Sequence, residues 1–269
     1  MILPLLVAAQ VPPPPAPAPP PAVQPALSVK PIEPSKIILI GDSTIAVRSG
    51  WGSSFCSLHV TSFAACLNLA RGGRSTSSYR AEGSWAVALG EMRTPGYKHI
   101  WVLIQFGHND QPGKPGRSTD VATEFPANLR RYIAEVRAAG AIPILVTPLT
   151  RRSFKGGTLD NDLVPWAAAT RRIAQEVGVP LIDLNAESSA AVQAMGEAAA
   201  DLLAEIPKDA APAAPAAPTS TEVDDIPLAA FKPVFDRTHV GREGADYFAA
   251  MIARGLGRAV PEMRPLLLR

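Results

Sequence analysis

The chain has 269 residues, two cysteines, four histidines and a formal net charge of +2. That length can bury a sizeable core without metal or disulfide staples. The near-neutral balance argues against a nucleic-acid binder, which would carry a basic stripe, and two cysteines exclude a cysteine-dense scaffold or a Cys-only zinc site. Proline is the outlier, with 28 copies, roughly twice the usual share of about 5%. Ten of these fall within residues 1–28, and three more are Pro212, Pro215 and Pro218. The excess belongs to two low-complexity segments, and the rest of the chain has an ordinary globular composition.

In chain order, Ile2 to Ala9 is a short apolar run that ends in small residues, Val7-Ala8-Ala9. Its length suits a signal-peptide core and is far too short for a membrane span. No Lys or Arg precedes Lys30, so the basic n-region is missing. We read residues 1–10 as a signal segment and the protein as secreted or periplasmic; the alternative is an apolar tail. Residues 11–30 form a Pro/Ala-rich spacer of polyproline II character, rising ~3.1 Å per residue. Residues 31–260 make one globular domain, with an Ala/Pro-rich insertion near 209–221 and a C-terminal tail at 261–269.

Within the domain, apolar runs at Lys36–Ile40, His99–Phe106, Ile142–Pro148 and Val179–Leu184 read as strands, with a weaker one over Ala65–Leu69. Continuous Ile/Val/Leu runs fit strands covered on both faces, as in parallel sheets. Helical patterns cover Glu124–Ala139, Trp166–Val177, Ser188–Glu205 and Gly244–Leu256. The alternation predicts an α/β fold, a three-layer α/β/α sandwich around a central, mainly parallel five-stranded sheet. In such sheets the chemistry sits at the carboxyl ends of the strands.

Polar motifs fall at those ends: Gly41-Asp42-Ser43-Thr44, then Ala70 to Ser75, then Gly107-His108-Asn109-Asp110, and Asp236-Arg237-Thr238-His239 before the last helix. A serine hydroxyl needs a base to become a nucleophile. Histidine is the usual base, and a carboxylate fixes its tautomer. Ser43, His239 and Asp236 supply that set. An oxyanion then needs donors, and the Ser43 and Gly73 N–H groups with the Asn109 amide could supply three. Duller readings exist for each. Ser43 could be a helix cap, His239 a surface histidine, and Asp42, His108 and Asp110 braces for their loops. A metal held by His108, Asp110, Asp236 and His239 lacks a familiar ligand spacing, so no metal is expected.

The constellation resembles the SGNH (GDSL-type) hydrolases, most closely their rhamnogalacturonan acetylesterase-like branch. The stretches that carry the resemblance are IGDST, GWG (Gly50 to Gly52), GGRST (Gly72 to Thr76), QFGHNDQ (Gln105 to Gln111), VTPLTRR (Val146 to Arg152) and DRTH. It covers residues 36–258 and departs at the Ala/Pro-rich insertion. It implies a flavodoxin-like sandwich with Ser43 as nucleophile, His239 as base, Asp236 as its orienter, and Gly73 and Asn109 completing the oxyanion hole. It also implies hydrolysis of acetyl esters on pectic and related polysaccharides without metal or cofactor.

Arg74, Arg151 and Arg152 fall on loops at the active edge. Each could pair with surface carboxylates, or bind a uronate of the substrate through a planar fork. Trp51 and Trp85 could stack on sugars or pack in the core. Cys56 and Cys66, ten apart, are either a disulfide or two buried thiols. The expected function is a serine esterase removing O-acetyl groups from a polysaccharide or oligosaccharide through an acyl-enzyme, with no nucleic-acid partner and no integral membrane span. The competing readings are a lipid or small-ester esterase of the same superfamily, and a non-catalytic polysaccharide-binding protein tethered by its Pro-rich arm.

Overall fold

The structure, a computed structural model, describes residues 32–210 and 234–268. The expected signal segment, the spacer and most of the Ala/Pro-rich insertion lie outside the described residues. Five strands, β1 (Ser35–Gly41), β2 (Ala64–Asn68), β3 (Ile100–Gln105), β4 (Ile142–Val146) and β7 (Leu181–Ile182), pair in the order β2-β1-β3-β4-β7. Every pairing in that sheet is parallel. A small antiparallel hairpin, β5 (Phe154–Lys155) with β6 (Thr158–Leu159), follows β4.

Side-chain alternation explains why the runs are apolar throughout. Ile37 and Leu39 of β1 join Trp101, Leu103, Ile144 and Val146 in a core on one face. Ile38 and Ile40 join Val102, Ile104 and Leu145 in a core on the other. The first core is capped by α1 (Gly52–Leu58), α6 (Leu184–Met195) and α8 (Arg242–Ala259), through residues such as Phe55, Val192 and Phe248. The second is capped by α3 (Ser84–Met92), α4 (Glu124–Ala138) and α5 (Val164–Val177), through Trp85, Leu129 and Ile173. Burying one such aliphatic or aromatic side chain is worth about 1.5–3 kcal/mol, so both faces hold the sheet.

Several boundaries differ from the sequence reading, each for a local reason. The last expected strand is cut to two residues, Leu181–Ile182, and ends there because Asp183 caps α6, its side chain accepting from the Ala186 N–H at 3.4 Å. The long helix expected at Ser188–Glu205 is broken at Gly196, whose φ of +80° is not helical, into α6 and α7 (Glu197–Asp201). The short helices α1, α2 (Ser78–Ala81) and α3 fall outside the helical patterns of the sequence. The expected tail is folded in part: Pro261–Leu266 is a 3-10 turn, and Leu267 bridges to Val60. Cys56 on α1 and Cys66 on β2 are joined by a disulfide, with Cα atoms 5.5 Å apart.

Strand order places the site. The chain runs from β1 to β2 on one side, then crosses to β3 on the other. That reversal opens a crevice at the carboxyl ends of β1 and β3.

Candidate active site

Ser43 follows β1 in a turn closed by the Ile45 and Ala46 N–H groups, which donate to the Asp42 carbonyl at 3.2 and 3.1 Å. The Asp42 side chain is fully buried and accepts from the Thr44 N–H at 2.9 Å and the Thr44 hydroxyl at 2.7 Å. Gln105 at the end of β3 donates to that hydroxyl at 2.7 Å and accepts from the Trp51 indole at 3.2 Å. Burial would raise Asp42, but the His108 imidazole 3.5 Å away and the Thr44 donors outweigh it and hold the carboxyl below its ordinary value. The turn carrying Ser43 is thus fastened to β3 from beneath.

Three expected residues meet above that turn. His239 Nε2 lies 2.9 Å from Ser43 Oγ, and His239 Nδ1 lies 2.7 Å from Asp236 Oδ2. A carboxylate only accepts, so Nδ1 carries the proton and Nε2 presents its lone pair to the serine. Asp236 Oδ1 accepts from the Thr238 and His239 N–H groups, both at 2.7 Å, which fixes the carboxylate locally. Burial would raise Asp236, but the hydrogen bond and charge of His239 hold it low. Burial would lower His239, but the Asp236 hydrogen bond and charge, with Glu205 and Asp42 adding, raise it above its ordinary value.

The expected donors lie on adjoining loops. Gly73 adopts φ +78°, a conformation that favours glycine. A Cβ built on neighbouring Gly72 would lie 3.7 Å from the Ser43 Cβ, so this loop passes against the serine. Among the described residues, neither the Ser43 nor the Gly73 N–H donates to any acceptor. Asn109 gives one amide proton to the Arg74 carbonyl at 3.1 Å and keeps the second. Asp110 braces this loop, accepting from the Thr76 N–H at 3.1 Å, the Thr76 hydroxyl at 2.5 Å and the Thr119 hydroxyl at 2.8 Å. Burial pushes Asp110 up to about 6 against those donors.

The three arginines expected at the substrate have other partners. Arg74 folds back on its own loop, donating to Glu82 at 2.6 Å and to the Gly72 carbonyl at 2.7 Å. Arg151 donates to the Thr238 hydroxyl at 3.1 Å and to Asp162 at 2.5 Å. Arg152 corrects the expectation outright: it is 0% exposed and cannot reach a solvent-borne sugar. Its guanidinium donates to the carbonyls of His239 at 2.7 Å, Asp236 at 3.2 Å and Thr238 at 3.4 Å, holding the Asp-His loop from behind. Trp51 and Trp85 are both core residues.

Other supports carry no sequence signal. Arg237 grips Asp201 at 2.9 and 3.0 Å, tying the Asp-His loop to α7. Ser49, at φ +70°, places its hydroxyl between the Arg48 carbonyl and the Ser43 carbonyl, the latter 3.3 Å away, and its own carbonyl accepts from the Val240 N–H at 3.0 Å. It links the serine and histidine loops. Only a positive φ at a non-glycine marks it, and φ cannot be read from residue names.

A Ser-His-Asp relay at the carboxyl edge of a parallel α/β/α sheet, beside unoccupied N–H donors, defines the class of three-layer serine ester hydrolases. Residues 39–210 match the GDSL-like lipase/acylhydrolase family. The chain belongs to that family. Among curated proteins it is 34% identical over 168 residues to the probable rhamnogalacturonan acetylesterase YesY of Bacillus subtilis, covering 60% of this chain and 75% of that protein. It is 36% identical over 172 residues to the rhamnogalacturonan acetylesterase RhgT of the same organism, covering 61% and 71%. Among solved structures, a Bacillus subtilis protein designated YXIM superposes with a TM-score of 0.64 at 25% identity, over 85% of this chain and 58% of that longer one. An acetylxylan esterase from Geobacillus stearothermophilus superposes with a TM-score of 0.54 at 17% identity, over 85% and 95%, and shares the fold.

Proposed function

We propose that the protein is a serine acetylesterase that removes O-acetyl groups from a polysaccharide, of the rhamnogalacturonan type or a related glycan. The observation that carries this reading is the relay from Ser43 through His239 to Asp236, with hydrogen bonds of 2.9 and 2.7 Å, next to the Ser43 and Gly73 N–H groups, which have no acceptor among the described residues. The names of the two curated relatives supply the substrate class.

The chemistry follows from those contacts. Ser43 Oγ attacks the acetyl carbonyl carbon as its proton passes to His239 Nε2, and Asp236 stabilises the imidazolium. The carbonyl electrons move onto oxygen, which takes hydrogen bonds from the Ser43 and Gly73 N–H groups and the Asn109 amide. Collapse breaks the ester bond, and the sugar hydroxyl leaves with the proton from His239. Water then attacks the acetyl-serine by the same route, giving acetate and free Ser43. The described residues hold no helix long and apolar enough to cross a membrane. The apolar run Ile2–Ala9 supports a leader and an exported enzyme.

The test is acetate release from a panel of acetylated pectins, xylans and bacterial glycans. We expect release from at least one pectic substrate. Turnover confined to long-chain acyl esters would refute the carbohydrate assignment.

A further inference from the structure

Two of the arginines expected to meet an acidic sugar, Arg74 and Arg151, are ion-paired to carboxylates, but two other cations beside the site have no carboxylate partner among the described residues. Lys114 and Arg117 share a tight turn after β3, in which the Arg117 and Ser118 N–H groups donate to the Lys114 carbonyl at 3.0 and 2.9 Å. The Ser118 hydroxyl accepts from the Lys114 N–H at 2.9 Å and locks the turn. Lys114 Nζ donates to the carbonyl of His108, the residue before Asn109, at 2.7 Å, leaving two protons unassigned. Arg117 Nη1 reaches the Gly73 carbonyl at only 3.4 Å, and its buried Nε has no partner among the described residues.

Neither cation is ion-paired to a described carboxylate, whereas Arg74 and Arg151 both are. The carboxylates that act on Lys114 are otherwise engaged. Asp162 is held by Arg151 at 2.5 Å and Gln111 at 3.0 Å, and Asp42 is buried under Thr44 and His108. Burial and the charges of Arg151 and Arg117 pull the Lys114 ammonium below its ordinary value. Lys114 and Arg117 therefore touch the two loops that carry Asn109 and Gly73 while lacking a described carboxylate partner.

We propose that Lys114 and Arg117 bind the carboxylate of a uronic acid residue in the acetylated glycan, Arg117 from beside Gly73 and Lys114 from beside Asn109. The inference rests on the acetylesterase reading and names the feature that selects its substrate. A carboxylate there accepts from an ammonium and a guanidinium at once, the arrangement that gives strong charge-assisted hydrogen bonds. Being on a half-buried rim, the contact is partly screened by salt.

The test compares the wild type with Lys114→Gln, Arg117→Gln and the double variant on four substrates. These are acetylated rhamnogalacturonan oligosaccharide, its carboxyl-methylated form, acetylated xylo-oligosaccharide and 4-nitrophenyl acetate. Each single variant is expected to lose about tenfold more kcat/KM on the acidic oligosaccharide than on the two neutral acetyl esters, chiefly through KM. Methylating the substrate carboxyl should cost the wild type a similar factor and the double variant almost nothing further. Thermal unfolding of each variant separates misfolding from lost recognition. Equal losses on all four substrates, or a wild type indifferent to methylation, would overturn the proposal and leave the esterase reading standing. A wild type that cleaves 4-nitrophenyl acetate but no glycan would overturn both.

Discussion

Replacing Arg152 by methionine tests whether this side chain serves the loop or the substrate. Methionine keeps much of the volume and removes the guanidinium. Three hydrogen bonds go, one of 2.7 Å to the His239 carbonyl and two longer ones of 3.2 and 3.4 Å. A charge-assisted bond of good geometry is worth about 1.5–3 kcal/mol, and the longer two, at the edge of bonding geometry, add less than about 1 kcal/mol each. Relief from burying a charge works the other way. Burial draws Arg152 down to about 10, with Asp236 and Asp201 opposing, so it is still protonated at neutral pH. The net expectation is about 2–4 kcal/mol of lost stability, which for a domain of this size is a fall in Tm of about 5–15 °C. The freed Asp-His loop also shifts, and a displacement of about 1 Å at a reacting group can cost 100-fold. Thermal unfolding paired with kcat and KM on 4-nitrophenyl acetate reads both effects. An unaltered Tm and kcat, with KM raised only for acidic glycans, would refute the structural role and restore Arg152 as a substrate contact.

The pH profile follows from His239. Its raised pKa means that kcat/KM falls as pH drops through a value above about 6.5, because the protonated ring cannot accept the Ser43 proton. Asp236→Asn removes the main cause of the shift, so the inflection should move to lower pH while kcat falls by about 10⁴; an unmoved inflection would contradict the pairing. The same shift gives stability its sign: while Asp236 stays ionised, the raised His239 contributes fully below the unfolded-state value near 6.5, and that contribution is lost as pH rises through the folded value. A Tm difference between wild type and Asp236→Asn that grows with rising pH would oppose this. Cys56→Ser with Cys66→Ser should cost about 2–3 kcal/mol, from the entropy of a loop closed across ten residues. Differential denaturation with and without reductant checks it, and coincident curves would contradict the estimate.

The sequence was informative where one physical cause acts alone. β1, β3 and β4 are legible because two-sided burial demands Ile, Val and Leu at consecutive positions. The Asp236–His239 contact is legible because it is local, set by a turn of four residues. The sequence was silent where long-range contacts decide. Nothing near Arg152 shows that carbonyls more than 80 positions away need its donors. Arg74 has a place in a recognisable motif, yet Glu82 on the following segment claims it. Lys114 and Arg117 sit in an unremarkable polar loop, and only the positions of Gly73 and His108 give them meaning. The apolar run at β7 continues to Leu184, but the strand ends at Ile182, where the Asp183 capping bond starts α6.

The central claim is that Ser43 carries the acetyl group. The direct measurement is mass spectrometry of the protein after a phosphonofluoridate, read beside hydrolysis of 4-nitrophenyl acetate. The account predicts one phosphonyl adduct on the peptide containing Ser43, with activity lost in step. It also predicts no such adduct, and turnover at least about 10⁴-fold lower, in Ser43→Ala. An adduct on another residue, or Ser43→Ala turning over at the wild-type rate, would contradict it.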